Sequence, residues 1–275
     1  FGDWDAGLGQ THHTGEVFWN GTALYEAASL QALLDPPAAP QQTMRWFAQA
    51  EAEHTVFYAD FDGGDPAGAC VAIRVRPLCF FPRQPGVGYL TVRGLTICQA
   101  ATQWAPPTAF QAGAIGPHWC TGGFIVDCCI HDSKCCGISL GKKRDVKDNA
   151  WSLDPAKGGA QTYTEIVFAN LQDGWCREKI GGHILRNNEI YNCGQAGIVG
   201  CMGGAFSTIT GNHIHHINIR GEFSGAEMAG IKLHAGIDVV IERNIIHDCS
   251  KGIWLDWEAQ GAAVRGNVLF RNDRE

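Results

Sequence analysis

Asp256 lies between Trp254 and Trp257 in the segment GIWLDWEAQG, Gly252 to Gly261, so a carboxylate is flanked by two aromatic rings on what reads as a strand. A carboxylate can serve as nucleophile, acid or base at a glycosidic carbon, and aromatic faces pack on the C–H groups of sugars. Glu258 follows two residues on, which along an extended strand gives the same side at roughly 6.5 to 7 Å, near the inverting range. Against that pairing, Glu-Ala-Gln-Gly reads as a corner that would swing Glu258 away. The plain alternative for Asp256 is a solvated surface carboxylate.

The elements that must position these groups repeat. Four segments share an apolar pair, a spacer, an Asn and a further apolar residue: HILRNNEIYNC from His183, STITGNHIHHI from Ser207, VVIERNIIHDC from Val240 and AAVRGNVLFRN from Ala262. Their asparagines, Asn188, Asn212, Asn244 and Asn267, are spaced by 24, 32 and 23 residues, and FIVDCCIHD from Phe124 is a weaker copy with Cys128 at the Asn place. A second motif trails them: CGISL from Cys136, AGIVG from Ala196, AGIKL from Ala229 and KGIWL from Lys251. Two short strands per turn, each too small to bury its own apolar side, predict a stacked solenoid, here a parallel β-helix.

Alternation then sends Ile231, Leu233, Ile253 and Leu255 inward. It sends Ser139, Val199, Lys232 and Trp254 into one outer column, and Gly141, Cys201, His234 and Asp256 into the next. The asparagines are expected to form an inward amide ladder that satisfies turn backbone groups. His213, His215 and His216 are read as part of an outer-face ladder, since only the first two share a face and no Cys or carboxylate is placed with them. No metal and no cofactor is expected. His12-His13 is ambiguous in the same way.

The 275 residues carry a net charge of −7 and are 45% hydrophobic. That composition fits an enzyme-like domain and argues against nucleic acid as a partner, and no apolar run is long enough to span a membrane. The 35 glycines fit tight corners. Twelve cysteines, two pairs of them adjacent, read as reduced, small and buried, which favours the cytoplasm; Asn20-Gly21-Thr22 is a sequon that matters only in a secreted protein.

Residues 1–80 lack the repeat and read as part of a small β-rich domain, with a type I′ hairpin at Asn20-Gly21, a short helical pattern before Asp35-Pro36-Pro37, and strands in TVFYADF and CVAIRVRP. The coil is expected over 81–275, starting with GYLTVRGLTI from Gly88, and the polar stretch between Leu140 and Ile166 is expected to be a loop at its rim. With Phe1 at the start and a repeat strand just before Glu275, the chain is expected to be a piece of a longer protein, with both domains only partly present.

FGDW at Phe1, WAPPTA at Trp104, IGPHW at Ile115, WCREKIGGHILRNNEIYNCGQ from Trp175, EMAGIKLHAGIDV from Glu227 and HDCSKGIWLDWEAQG from His247 together resemble the β-xylosidases of glycoside hydrolase family 120, over essentially the whole chain. The resemblance implies a right-handed parallel β-helix with a β-sandwich inserted near its N-terminus. It implies exo-acting, retaining hydrolysis of xylo-oligosaccharides or aryl β-xylosides, with Asp256 as nucleophile and a Glu acid/base on the following rung. Adding the last spacing of 23 to position 256 puts that rung near 279, so residues 1–275 alone are expected to be inactive or nearly so.

The same resemblance places Glu227 in the sugar subsite and Trp4 over the sugar, with Lys232 and His234 beside the nucleophile; Trp254, Trp257 and Glu258 complete the expected substrate-binding set. The plain alternatives are a loop charge for Glu227, a core aromatic for Trp4, and an outer-face ladder for Lys232 and His234. Ala226 and Cys201 stand where the family tends to have His, which bears on xylose contact. A calcium-dependent β-helix polysaccharide lyase and a non-catalytic binding or adhesive β-helix are the competing classes, since the fold hosts all three. Homo-oligomerisation is left open.

Overall fold

The computed structural model describes residues 12–36, 43–146, 154, 156–225 and 227–274. Trp4 and Ala226 lie outside the described residues. Two compact units change over between Arg76 and Pro77.

In the first unit, strand Glu16–Trp19 pairs antiparallel with Thr22–Ala23 and Val71–Arg74, and strand Arg45–Ala50 pairs with Tyr25–Glu26 and Thr55–Asp60. Asn20 and Gly21 both have positive φ, 49° and 85°, the requirement of the expected type I′ turn. Val17, Leu24, Trp46 and Ala48 form the buried centre. Glu26 is also buried and accepts from both His12 and His13, at 2.9 and 2.7 Å, which gives those histidines a local partner.

The second unit is the coil, built from three parallel sheets. The Asn motif accounts for two of them: strands such as Ile184–Arg186 before the Asn form the first sheet and strands such as Glu189–Tyr191 after it form the second. The Gly-Ile motif supplies the third, ordered Gly113–Ile115, Cys136–Ser139, Ala196–Cys201, Ala229–His234, Ile253–Leu255. Each turn therefore holds three strands, not two. The corner inside the Asn motif is so tight that a sequence reading merges the strands on either side of it.

That corner explains the motif. The residue just before the Asn place is left-handed in every rung, at Gly94, Asp127, Asn187, Gly211, Arg243 and Gly266, so the polypeptide turns within about one residue. The Asn then repairs the broken ladder. Asn212 Oδ1 accepts the Asn188 backbone N–H at 3.0 Å and the Asn188 Nδ2 at 2.9 Å, while its own Nδ2 donates to Leu185 O and to Asn244 Oδ1. Asn244 and Asn267 repeat the pattern, and Asn188 Oδ1 accepts from Cys128 N where the ladder begins. The amide ladder expected from sequence is present.

Removing one rung leaves two buried donors of Asn188 unpartnered, at about 1–3 kcal/mol each. Asn212→Ala is thus expected to cost about 3 kcal/mol or more, a fall in Tm on the order of 10 °C. Asn267→Ala, at the half-buried end of the ladder, is expected to cost less in the same thermal melt.

Inside the coil, Ile130, Ile190, Ile214 and Ile246 stack in register, as do Ile138, Ile198 and Ile231, all with no exposed surface. The glycine of the third-sheet motif has a steric cause: a Cβ on Gly197 would meet Gly230 O at 2.7 Å, and one on Gly137 would meet Gly197 O at 2.8 Å.

The segment expected to be a rim loop contains a helix, Gly159–Gln172. It begins after Gly158 and buries Tyr163, Ile166 and Asn170, one helical face at i, i+3 and i+7 spacing. Tyr163 packs with Val199, Cys201, Met202 and Met228 on the outer side of the third sheet, with Val167 against the same cluster. That sheet is therefore covered on both faces, which is why its outward residues Ser139, Val199, Cys201, Lys232 and His234 are all buried. No helix among the described residues is long and apolar enough to cross a membrane.

Candidate functional site

The predicted columns form in part, through Ser139, Val199, Lys232 and Trp254 in one and Cys201 and His234 in the next. Val199 pairs with Lys232 and Lys232 with Trp254, while Cys201 pairs with His234. Ile231 and Leu233 enter the core with Ile253 and Leu255 against them. Strand Ile253–Leu255 stops one residue short of Asp256, but Asp256 N still donates to Leu233 O and Trp257 O accepts from Ala235 N, so the backbone stays fastened to the rung below. The chain then turns, with Ala259 N bonded to Asp256 O at 3.1 Å.

A connected set of charges results. Lys232 Nζ lies 2.5 Å from Asp256 Oδ2, 3.1 Å from His234 Nε2 and 3.5 Å from Glu227 Oε1. His234 Nε2 is 2.7 Å from Glu227 Oε1, and Glu227 Oε2 accepts from Gln111 Nε2 at 2.6 Å. Asp256 Oδ1 accepts the Trp257 N–H at 3.0 Å. Lys232 and Glu227 are fully buried, whereas the Asp256 side chain is 22% exposed. Asp256 is thus the point at which a buried ionic network meets solvent.

The electrostatics follow from this placement. Burial pushes the Asp256 carboxyl up, but the Lys232 ammonium, His234 and the Trp257 N–H outweigh it and hold the group below its ordinary value. Glu227 is the same case: complete burial is outweighed by His234, Lys232 and Gln111. Both carboxylates are ionised at neutral pH. Cys201, beneath His234, is driven the other way, its thiol pushed up to about 12 by burial and by the nearby Glu227 charge.

The remaining expected residues divide. Trp254 carries two ammoniums over its ring, Lys232 Nζ at 3.9 Å and Lys251 Nζ at 4.4 Å, a cation–π arrangement that ties it to the ion-pair partner of Asp256. Trp257 is 41% exposed and meets Tyr163 edge-on at 5.1 Å, leaving ring surface at the mouth of the site. Glu258 sits on the turn with φ 64°, exposed, so no strand spacing links it to Asp256 and the in-line pair read from sequence is not formed. Glu227 lies just before strand Ala229–His234. It is wholly enclosed with both oxygens engaged, and its φ of 72° is left-handed, a strain held by the network around it.

Two contributors escaped the sequence reading. Gln111 precedes the third-sheet strand Gly113–Ile115, in which no repeat motif is visible, and its backbone is pinned by Ser139 Oγ at 2.6 Å. Tyr163 comes from the unread helix, with its ring 5.1 Å from His234 and its phenol pushed up by burial and by Cys201 and Glu258. The spacing of Tyr163, Ile166 and Asn170 was the available signal.

A second cluster lies on the outer side of the second sheet. The expectation that no carboxylate joins the histidines fails, because Glu189 pairs in register with His213, and Asp248 follows His247 one rung on. The rest of the ladder reading holds: His131, Tyr191, His215, His247 and Phe270 stack ring on ring at 4.6 to 5.1 Å. Crowding by burial and the neighbouring imidazoles holds His215 down at about 4. The twelve cysteines are free thiols, of which seven are buried and Cys70 and Cys79 exposed, so burial describes most of them but not all.

Residues 1–73 match the glycoside hydrolase 120 insertion domain, and residues 119–275 match the right-handed β-helix region. Among solved structures, XylC in complex with xylose is similar with a TM-score of 0.95 and 46% sequence identity, over 99% of this chain and 46% of that one. The chain thus spans under half the length of XylC. No match is found among curated proteins.

Proposed function

The chain belongs to glycoside hydrolase family 120, and from that membership we propose that it forms the nucleophile half of a retaining, exo-acting β-xylosidase acting on xylo-oligosaccharides. The supporting observation is the Asp256 carboxylate, held ionised with Lys232 at 2.5 Å and partly open to solvent beside Trp257. A carboxylate has about four acceptor positions. Lys232 and the Trp257 N–H take two, which fixes the group while leaving lone pairs for attack.

In the first step an Asp256 oxygen bonds to the anomeric carbon as the glycosidic C–O bond breaks, and the leaving alcohol takes a proton from the acid/base carboxyl. In the second, that carboxylate removes a proton from water, the hydroxyl adds to the same carbon, and Asp256 leaves. We assign the acid/base to a carboxylate on the rung pairing with the outer edge of strand Ile253–Leu255. Paired strands sit about 4.8 Å apart, close to the separation of about 5 Å that retention needs. Glu227 acts from behind, holding Lys232 and His234 against the nucleophile. Trp257 supplies the apolar face for the sugar.

Proton NMR of aryl β-D-xyloside hydrolysis, on a chain that includes the acid/base rung, tests the reading. β-Xylose appearing first is expected; α-xylose first would move the second carboxylate to a more distant position such as Glu258, and calcium-dependent cleavage of an acidic polysaccharide would favour a lyase. Trp257→Ala is expected to raise KM by about 3- to 10-fold with kcat little changed, the scale of one lost aromatic contact, read from initial rates over a range of substrate concentration.

A further inference from the structure

From the outer face of the second sheet we infer a binding site for a divalent late first-row metal ion of the zinc class, held by Glu189, His213 and His215. His213 Nδ1 lies 3.9 Å and His215 Nε2 3.6 Å from the same oxygen, Glu189 Oε1, and the three ligand atoms fall within 4.8 Å of one another. These separations are too long for good hydrogen bonds. They are close to the spacing of about 3.3 Å between ligand atoms that follows from tetrahedral bonds of about 2.0–2.1 Å. Small side-chain rotations on a fixed backbone bring them there.

The stacked ladder accounts for His215 but not for His213 or Glu189. Its rings lie within 19° of parallel from one to the next, but His213 is tilted 41° from His215 and 40° from His247. Ladder packing also gives no reason for a glutamate facing the tilted ring.

The second nitrogen of each imidazole is already engaged, as metal-binding histidines require. His213 Nε2 lies 2.8 Å from His247 Nε2, whose other nitrogen is 2.6 Å from Asp248 Oδ2, and His215 Nδ1 lies 2.7 Å from His216 Nδ1. Glu189 and His213 are half-exposed, at 51% and 42%, so the ion has an entry path and water can take the fourth position. Two imidazoles and one carboxylate select zinc, copper, nickel or cobalt over calcium or magnesium. Because Glu189 and the histidines lie on successive rungs, the ion would clamp the coil far along the chain from Asp256.

Titration with Co2+ and Zn2+ tests this, reading visible d–d absorption for the first and calorimetry for the second. The wild type is expected to bind one ion per chain with a four-coordinate cobalt spectrum free of thiolate charge-transfer bands, and its Tm is expected to rise with zinc. Glu189→Gln and His215→Phe, the latter preserving the ring stack, are expected to weaken binding by about a hundredfold or more while leaving the metal-free melting curve in place. Unchanged affinity in both variants, or thiolate bands in the cobalt spectrum, would overturn the assignment.

Discussion

Asp256→Ala, in a chain that includes the acid/base rung, is expected to lower kcat on an aryl β-xyloside by about 10⁴-fold or more, the scale expected when a covalent nucleophile is removed. The effect should fall on kcat and kcat/KM together, since the lost bond forms only on the reaction path. Loss of fold is not the cause, because Lys232 keeps Glu227 at 3.5 Å and Leu255 still packs on the core. A matched melting curve therefore belongs to the same experiment. Azide sharpens it: with the carboxylate gone, a small anion can attack the anomeric carbon from the vacated side, so the product expected is α-xylosyl azide. Recovery of β-xylosyl azide, or a fall of only a few-fold, would remove Asp256 from the nucleophile's place.

How far this site could be read in advance depended on whether a residue belonged to the repeat. Asn188, Asn212, Asn244 and Asn267 recur because each amide satisfies the backbone N–H at the tight corner of the rung before it, so the coil and its register were legible from the asparagines. Counting forward from them placed Lys232, His234 and Asp256 in adjacent columns; the pairing reproduces the first two, and Asp256 N is bonded to Leu233 O just past the last paired residue. The same count would also have set Glu189, one residue after Asn188, beside His213, one residue after Asn212, and that inference was missed.

Residues off the repeat were not legible. Gln111 reaches Glu227 across 116 positions of sequence, and no local pattern encodes such a contact. The helix Gly159–Gln172 has a single apolar stripe behind a Gly- and Lys-rich lead, and its burial is imposed by the sheet beneath it. Without that helix the outer columns look solvent-facing, and Lys232 and Glu227 look like surface charges. Their enclosure, which makes the network electrostatically strong, is a tertiary property.

Lys232→Met carries that argument to a measurement. The substitution keeps the volume and removes the ammonium that touches Asp256 at 2.5 Å and Glu227 at 3.5 Å. Loss of one preorganised charge at a reacting centre is expected to cost about 10²- to 10³-fold in kcat. The pH dependence distinguishes an electrostatic role from a packing one. In the wild type Asp256 and Glu227 are both held below their ordinary values, so they contribute stability above the unfolded carboxyl range, about pH 4, that is lost only as pH falls through the depressed native values.

In the variant the burial that raises Glu227 is opposed by His234 and Gln111 alone. With Lys232 gone its value rises, so the stability it contributes above the unfolded carboxyl range shrinks and the variant should lose less stability than the wild type on acidification. The acidic limb of kcat/KM should move to higher pH in parallel, as Asp256 loses the cation that keeps it charged. Denaturant melts and pH–rate profiles of the two proteins read both shifts. A slower variant with an unmoved acidic limb and the wild-type pH slope of stability would show that Lys232 only fills space.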